Sequence, residues 1–164
     1  MGLDLEDGDP AGGESIPGYC GDLPAATAAL LHEAAACDDE RRAEFLILRA
    51  HHQSPFHFAV YLALYKFHFY RQHFEAAEQW MRAGLAASAQ AAGFPLDAPP
   101  PARFAEPLAA APRFYLFSLK ALAFTLLRQQ RPEEARAYLD QLQRLDPEDR
   151  IGAGPVRAVA AATA

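Results

Sequence analysis

Two lysines stand among thirteen arginines, at Lys66 and Lys120. Each lies inside an apolar run of helical character, YLALYKFHFYRQ over 61–72 and FYLFSLKALAFTLLR over 114–128. An ammonium with apolar neighbours attracts a carboxylate strongly, because its surroundings screen the Coulomb interaction less than bulk water does. Arg128 follows Lys120 by eight residues, which on a helix returns it to the same side. The sequence admits a second reading, in which each lysine lays its methylenes on a core and carries its charge to solvent.

Other side chains with chemical potential lack the spacing that chemistry needs. The six histidines are His32, His51, His52, His57, His68 and His73. No two of them are three or four residues apart, the separation that places two ligands on one helical face, and no Glu-x-x-His motif occurs. No metal or cofactor is expected on that basis. Ser54, Ser88 and Ser118 lack a Gly-x-Ser-x-Gly context. Cys37 falls near the end of an Ala-rich helix, where the dipole disfavours a thiolate. Gly12-Gly13 has no following Lys-Ser/Thr and forms no phosphate loop. No catalytic residue is assigned, and the chain is expected not to be an enzyme.

The elements that must position these side chains are helices. Half of the 164 residues are apolar, Ala, Leu and Arg are abundant, and no alternating strand-like run of useful length occurs. The net charge of −6 is unevenly spread. Residues 1–22 carry Asp4, Glu6, Asp7, Asp9, Glu14 and Asp22 with no Lys or Arg, which leaves the remainder with 15 acids against 15 bases. The composition predicts a disordered acidic tail over 1–22 and a neutral folded domain over 23–150. No basic cluster suggests nucleic acid. No uninterrupted apolar run reaches the roughly 18 residues of a membrane span, and the acidic N-terminus does not resemble a signal peptide. Two cysteines make no disulfide framework and fit a reducing cytoplasm.

Along the chain, a first helix is expected from Pro24 to about Cys37. A second, capped by Asp38-Asp39, should end before Pro55. A third, opened by Ser54-Pro55, runs from Phe56 to about Arg71. A fourth runs from His73-Phe74 to Gly93, a C-terminal stop. Six prolines over 94–112 mark an insertion. A fifth helix spans Arg113 to Gln129 and a sixth Pro132 to Leu145, with Glu133 and Glu134 complementing its dipole. Residues 151–164 form a tail or a short capping helix. The seven aromatics Phe56, Phe58, Tyr61, Tyr65, Phe67, Phe69 and Tyr70 exceed what one apolar stripe needs. Their helix is either buried on several sides or exposes an aromatic groove.

The resulting hairpins, 24–53, 55–92 and 113–146, point to an all-α fold of about six helices in stacked antiparallel pairs. In the third hairpin, Leu119, Leu122, Ala123 and Leu126 are followed by Ala135, Leu139 and Pro147, and this pattern resembles a tetratricopeptide repeat. The second hairpin matches through Phe74-Glu75-Ala76-Ala77, with either Ala77 and Met81 or Ala76 and Trp80 as the packing pair. Ala77 and Ala135 lie 58 residues apart, longer than a repeat by the proline-rich insertion. The segments YLALYKFHFYRQ and LDPEDRIG over 145–152 are also similar to short repeat proteins of bacterial nitrogen-fixation clusters. The repeat resemblance implies a groove lined by Lys66, Tyr70, Lys120, Phe124 and Arg128 that takes a peptide or helix of another protein. A bacterial, cytoplasmic adaptor, assembly factor or chaperone follows as the expected role, with a homodimer admitted. Two further readings stand beside it. One is a secretion-type chaperone of the same fold. The other is a helical bundle holding a small ligand or cofactor among His57, Tyr61, Tyr65 and His68.

Overall fold

The computed structural model describes residues 22–163, so the acidic tail expected over 1–22 lies, apart from Asp22, outside the described residues. Those residues form seven α-helices and no strand. They are α1 (Ala25–Ala35), α2 (Glu40–Gln53), α3 (Phe58–Tyr70), α4 (Phe74–Ala92), α5 (Ala110–Arg128), α6 (Pro132–Leu145) and α7 (Gly154–Ala162). The fold is all-α, and each helix packs on its neighbour in sequence from α1 to α6, with α7 closing over α5 and α6.

Local chemistry sets most helix ends. Asp39 accepts a hydrogen bond from the Arg42 amide at 3.1 Å and caps α2, a contact worth about 1 kcal/mol. Gly93 closes α4 with φ of 74°, a left-handed conformation that costs glycine nothing. Pro132 opens α6 with Glu133 and Glu134 in its first turn. The start of α3 departs from expectation. Its cap is His57, whose Nδ1 accepts the Ala59 amide at 3.2 Å, so the helix begins after Ser54-Pro55 rather than at it.

The α3–α4 and α5–α6 turns are built alike. Gln72 and Gln130 take φ of 62° and 60°. The His73 amide donates to the His68 carbonyl and the Arg131 amide to the Leu126 carbonyl, both at 2.9 Å. The two turns are 58 residues apart, the separation of Ala77 and Ala135, and both alanines are fully buried. This register also pairs Met81 with Leu139, Leu62 with Lys120 and Lys66 with Phe124.

α5 is the centre of the main core. Every residue from Phe114 to Leu127 is buried. The helix is long and apolar enough to cross a membrane by length and composition, and 83% of that stretch is buried inside the protein. α4 lies close to both α3 and α5 because it offers them small residues. A Cβ on Gly84 would sit 3.1 Å from the Phe114 ring and 3.3 Å from Tyr61 Cβ. Between α3 and α5, aromatic rings fill a wider gap: Phe58 stacks on Phe114 at 4.7 Å, and Tyr65 meets Phe117 edge-on at 6.4 Å. The aromatic helix is therefore buried on several sides, with only Phe56, before its start, and Tyr70, at its end, strongly exposed.

The proline-rich insertion is fastened to this core. Phe94 and Phe104 pack around Tyr115, whose hydroxyl donates to the Leu96 carbonyl at 2.7 Å and accepts from Gln141 at 2.8 Å. Burial pushes the Tyr115 phenol up to about 12. Arg150 reaches the Phe104 carbonyl and the Glu106 carboxylate, and its Nε donates to Asp146 at 2.9 Å.

Asp146 is fully buried and also accepts the Ile151 amide at 3.0 Å. Burial alone would push its carboxyl up, but the Ile151 amide and the Arg150 guanidinium outweigh that and hold it below its ordinary value. The folded state therefore binds the proton less tightly than the unfolded chain. The stability this supplies is complete above the unfolded carboxyl pKa and is lost as pH falls through the depressed folded value. Asp146→Asn should cost about 2–3 kcal/mol at neutral pH. In denaturant titrations the gap between wild type and variant should narrow as pH falls through the acidic range, and a pH-independent gap would refute the assignment.

Candidate partner-binding cleft

The α1–α2 hairpin has an apolar cluster of its own. Leu30 and Leu31 of α1, with Leu46 and Ile47 of α2, pack against Val60, Leu64 and Phe67 of α3. Its other contacts are modest. Glu33 and Arg42 pair at 2.8 Å across the hairpin, but with side chains 50% and 64% exposed the pair is screened by solvent and adds little. Near the base, the Thr27 and Ser54 hydroxyls are 2.9 Å apart, and Asp22 lies 2.8 Å from His57 Nε2.

Where the end of the α1–α2 hairpin meets the C-terminal turn of α3, a cleft of about 310 Å³ opens. Leu31, Ala34, Ile47, Ala63 and Phe67 make its apolar walls, and Cys37, Lys66, Tyr70 and Arg71 complete its lining. Arg71 is fixed three ways. Its guanidinium stands 3.9 Å from the Phe67 ring centroid, its Nη1 donates to the Phe67 carbonyl at 3.0 Å, and its Nε lies 3.8 Å from Glu40. The helical spacing of Lys66 and Tyr70 brings the ammonium and the phenol to one side of α3. An apolar pocket edged by cations and a phenol can hold an apolar side chain beside a carboxylate.

The five residues expected to line one groove do not share one surface. Lys66 and Tyr70 lie together in the cleft. Lys120 is 2% exposed; its Nζ donates to the Ile151 carbonyl at 2.9 Å and lies 5.7 Å from the Phe117 ring. Phe124 is buried against Phe69 with ring centroids 5.2 Å apart, and the half-buried Arg128 lies over Phe74 at 5.2 Å. Enclosure of α5 is the reason. The turn register places Lys120 where Leu62 stands in the preceding hairpin, a fully buried inward position. Lys120 thus neither snorkels nor lines an open groove; it ties α5 to the segment leading into α7.

The four residues considered for a small ligand are engaged inside the protein. His57 caps α3, Tyr61 donates to the Pro55 carbonyl at 2.8 Å, and Tyr65 accepts from Thr125 at 3.4 Å. His68 is buried with Nε2 3.6 Å from Glu44, and burial pushes its pKa down, against the pull of Glu44. Among the described residues no three His, Cys, Asp or Glu side chains cluster to hold a metal. Ser88 and Ser118 donate to helix carbonyls at 2.7 Å.

One polar centre escaped sequence reasoning. Glu78 of α4 accepts from Arg82, Gln129 and Arg131 at 2.6–2.8 Å and joins α4 to the α5–α6 turn. Burial raises its carboxyl, and the hydrogen bonds from Gln129, Arg82 and Arg131 outweigh that and leave it below its ordinary value. The available signal was a glutamate one residue after the packing alanine, Ala77, with arginine four residues later.

The two lysines should separate cleanly in thermal and denaturant unfolding. Lys120→Ala leaves a cavity and an orphaned carbonyl and should lose about 2–4 kcal/mol. Lys66→Ala, at a half-buried edge, should lose less than about 1 kcal/mol. Equal losses would remove the distinction between a structural and a cleft lysine. Comparison with protein-family models, with curated proteins and with solved structures returns no match.

Proposed function

We propose that this protein is a protein-binding module, an adaptor, assembly factor or chaperone, and that it captures a peptide or helix of another protein in the cleft between the α1–α2 hairpin and α3. The observation that carries the reading is the convergence of Lys66, Tyr70 and Arg71 on one apolar cleft. Among the described residues the cleft opens to solvent at the edge of the apolar cluster shared by α1, α2 and α3, where a partner's side chain gains packing on three helices. An apolar anchor followed by an acidic residue fits its chemistry. The reading assigns the chain no reaction, and the hydroxyls of Ser54, Ser88 and Ser118 are spent on internal hydrogen bonds.

The test is a pull-down from native lysate with tagged wild type beside Lys66→Glu and Tyr70→Ala, each first shown to unfold within a few degrees of wild type. A protein retained by wild type and lost by both variants supports capture in the cleft. Retention unchanged by both variants, or no specific retention at all, overturns it.

A further inference from the structure

α2 has two faces. Ala43, Leu46, Ile47 and Ala50 are buried against α1 and α3. On the opposite side Phe45 is 58% and Leu48 40% exposed, and together with Arg49, His52 and Gln53 they form a shallow open groove along the helix. Arg41, Phe45, Leu48, Arg49 and His52 fall within an arc of about 100° over three turns. That is the spacing of a helix face made to meet another element, and nothing among the described residues covers it. Phe56, 70% exposed, follows just beyond the end of α2.

Charge says what would cover it. The Arg49 guanidinium lies 5.9 Å from the exposed Phe45 ring centroid. Arg42 and Arg71 have carboxylate partners in Glu33 and Glu40. Arg41 and Arg49 have none among the described residues. Glu44, beside the stripe and partly exposed, lies 3.6 Å from buried His68 rather than against either arginine. The apolar stripe is thus bordered by cations whose charge is left uncompensated within the described fold. A second copy on the same face would be related by a two-fold axis and would set these cations against themselves, which disfavours self-pairing. Backbone geometry narrows the partner further. The N–H and C=O groups within α2 are spent on the helix, so an extended strand finds no main-chain partners there, whereas the side-chain ridge of another helix can pack across Phe45 and Leu48.

We infer that the outer face of α2 is a second docking surface, separate from the α1–α3 cleft, and that its occupant is an amphipathic helix of another protein with apolar anchors flanked by Asp or Glu. Phe45 and Leu48 supply the apolar contact. Arg41 and Arg49 select acidic flanks and make the association salt-sensitive.

The probe is a fluorescently labelled designed helical peptide of about three turns, with Leu at the first, fourth, eighth and eleventh positions and Glu on its flanks. An otherwise identical peptide carries Lys in place of Glu. Anisotropy titrations use the full chain. The expected result is binding of the Glu peptide at least about tenfold tighter than the Lys peptide, weakening with salt. In the Lys66→Glu background, which removes the contribution of the cleft with its like chemistry, Phe45→Ala with Leu48→Ala should abolish it, and Arg41→Glu with Arg49→Glu should reverse the preference. The exposure of all four α2 side chains predicts unfolding temperatures within a few degrees of wild type, which is checked first. No binding by the Lys66→Glu chain, equal binding of both peptides by it, or binding that survives the added Phe45→Ala with Leu48→Ala overturns the inference. So does a dimer in analytical ultracentrifugation that Phe45→Ala with Leu48→Ala dissociates, because a second copy would then hold the face. Failure of the cleft variants in the pull-down leaves these arms intact, so the two proposals stand or fall separately.

Discussion

The structure depends on enclosing α5 on all sides. A helix apolar around its whole circumference cannot lie at a surface; it must find a neighbour in every direction, and the order of the chain supplies them. α4 and α6 flank it as sequence neighbours, α3 faces it through a layer of aromatic rings, and the proline-rich segment and α7 close what remains. The polar groups carried inside are then each satisfied. Thr125 and Ser118 return hydrogen bonds to carbonyls one turn back, Tyr115 holds the Leu96 carbonyl, and Lys120 holds that of Ile151. An unpaired group of this kind costs about 1–3 kcal/mol, so the surrounding segments are tied to α5 by its polar residues as firmly as by its apolar ones.

Enclosure has a consequence for the first hairpin. Once α3 has turned Tyr61, Tyr65 and Phe69 toward the main core, Val60, Leu64 and Phe67 remain on its other side. α1 and α2 cover that second face with small and medium residues, and they form a cluster distinct from the one around α5. A half-buried Trp80 touches both clusters. The cover is incomplete at the C-terminal end of α3, and the cleft with Lys66, Tyr70 and Arg71 lies there. The site is thus a by-product of a two-sided helix whose second face is covered by α1 and α2 except at its last turn.

Helix identities and many boundaries were legible in the sequence because they rest on local chemistry. Asp39 caps, Gly93 takes positive φ, and Pro132 opens a helix, each within one or two turns of chain. The placement of the lysines was not legible. Lys66 and Lys120 look alike in sequence, each a cation in an apolar helix, and only the register of the two Gln turns separates them. That register sets Lys120 at the position of Leu62, deep inside, and Lys66 at the position of Phe124, which is buried in α5 because α5 is enclosed but stands at the cleft edge in α3. Gly84 was missed for a related reason. A glycine inside a helix marks a close approach only once the approaching rings, Phe114 and Tyr61, are known. Composition marks the Pro-rich segment as an insertion and leaves its role open, and Phe94 and Phe104 prove to be anchors, a role that depends on Tyr115 reaching them from a distant helix.

Charge clusters and exposed rings fall in different parts of the molecule. Around α4–α7, Glu78 gathers Arg82 and Arg131, and Asp146 and Glu106 gather Arg150. Glu78–Arg131 and Glu106–Arg150 join segments distant in sequence, Glu78–Arg82 and Asp146–Arg150 are four residues apart and complete the same clusters, and all of them serve the scaffold. In α1–α3 the pattern differs: Phe45, Leu48 and Tyr70 are exposed, and Arg41 and Arg49 stand without carboxylates among the described residues. Arg128, Arg144 and Arg157 also lack carboxylates among the described residues, so what sets α1–α3 apart is cations beside exposed rings, and that combination concentrates the fold's capacity for contact there. Surfaces built from side chains alone on a rigid helical support favour a partner that brings its own secondary structure, since neither partner then has backbone to satisfy at the interface. The α1–α2 hairpin, with a cleft on one side and an apolar cation-edged ridge on the other, therefore presents itself as the recognition element, and the helices around α5 as the platform that holds it.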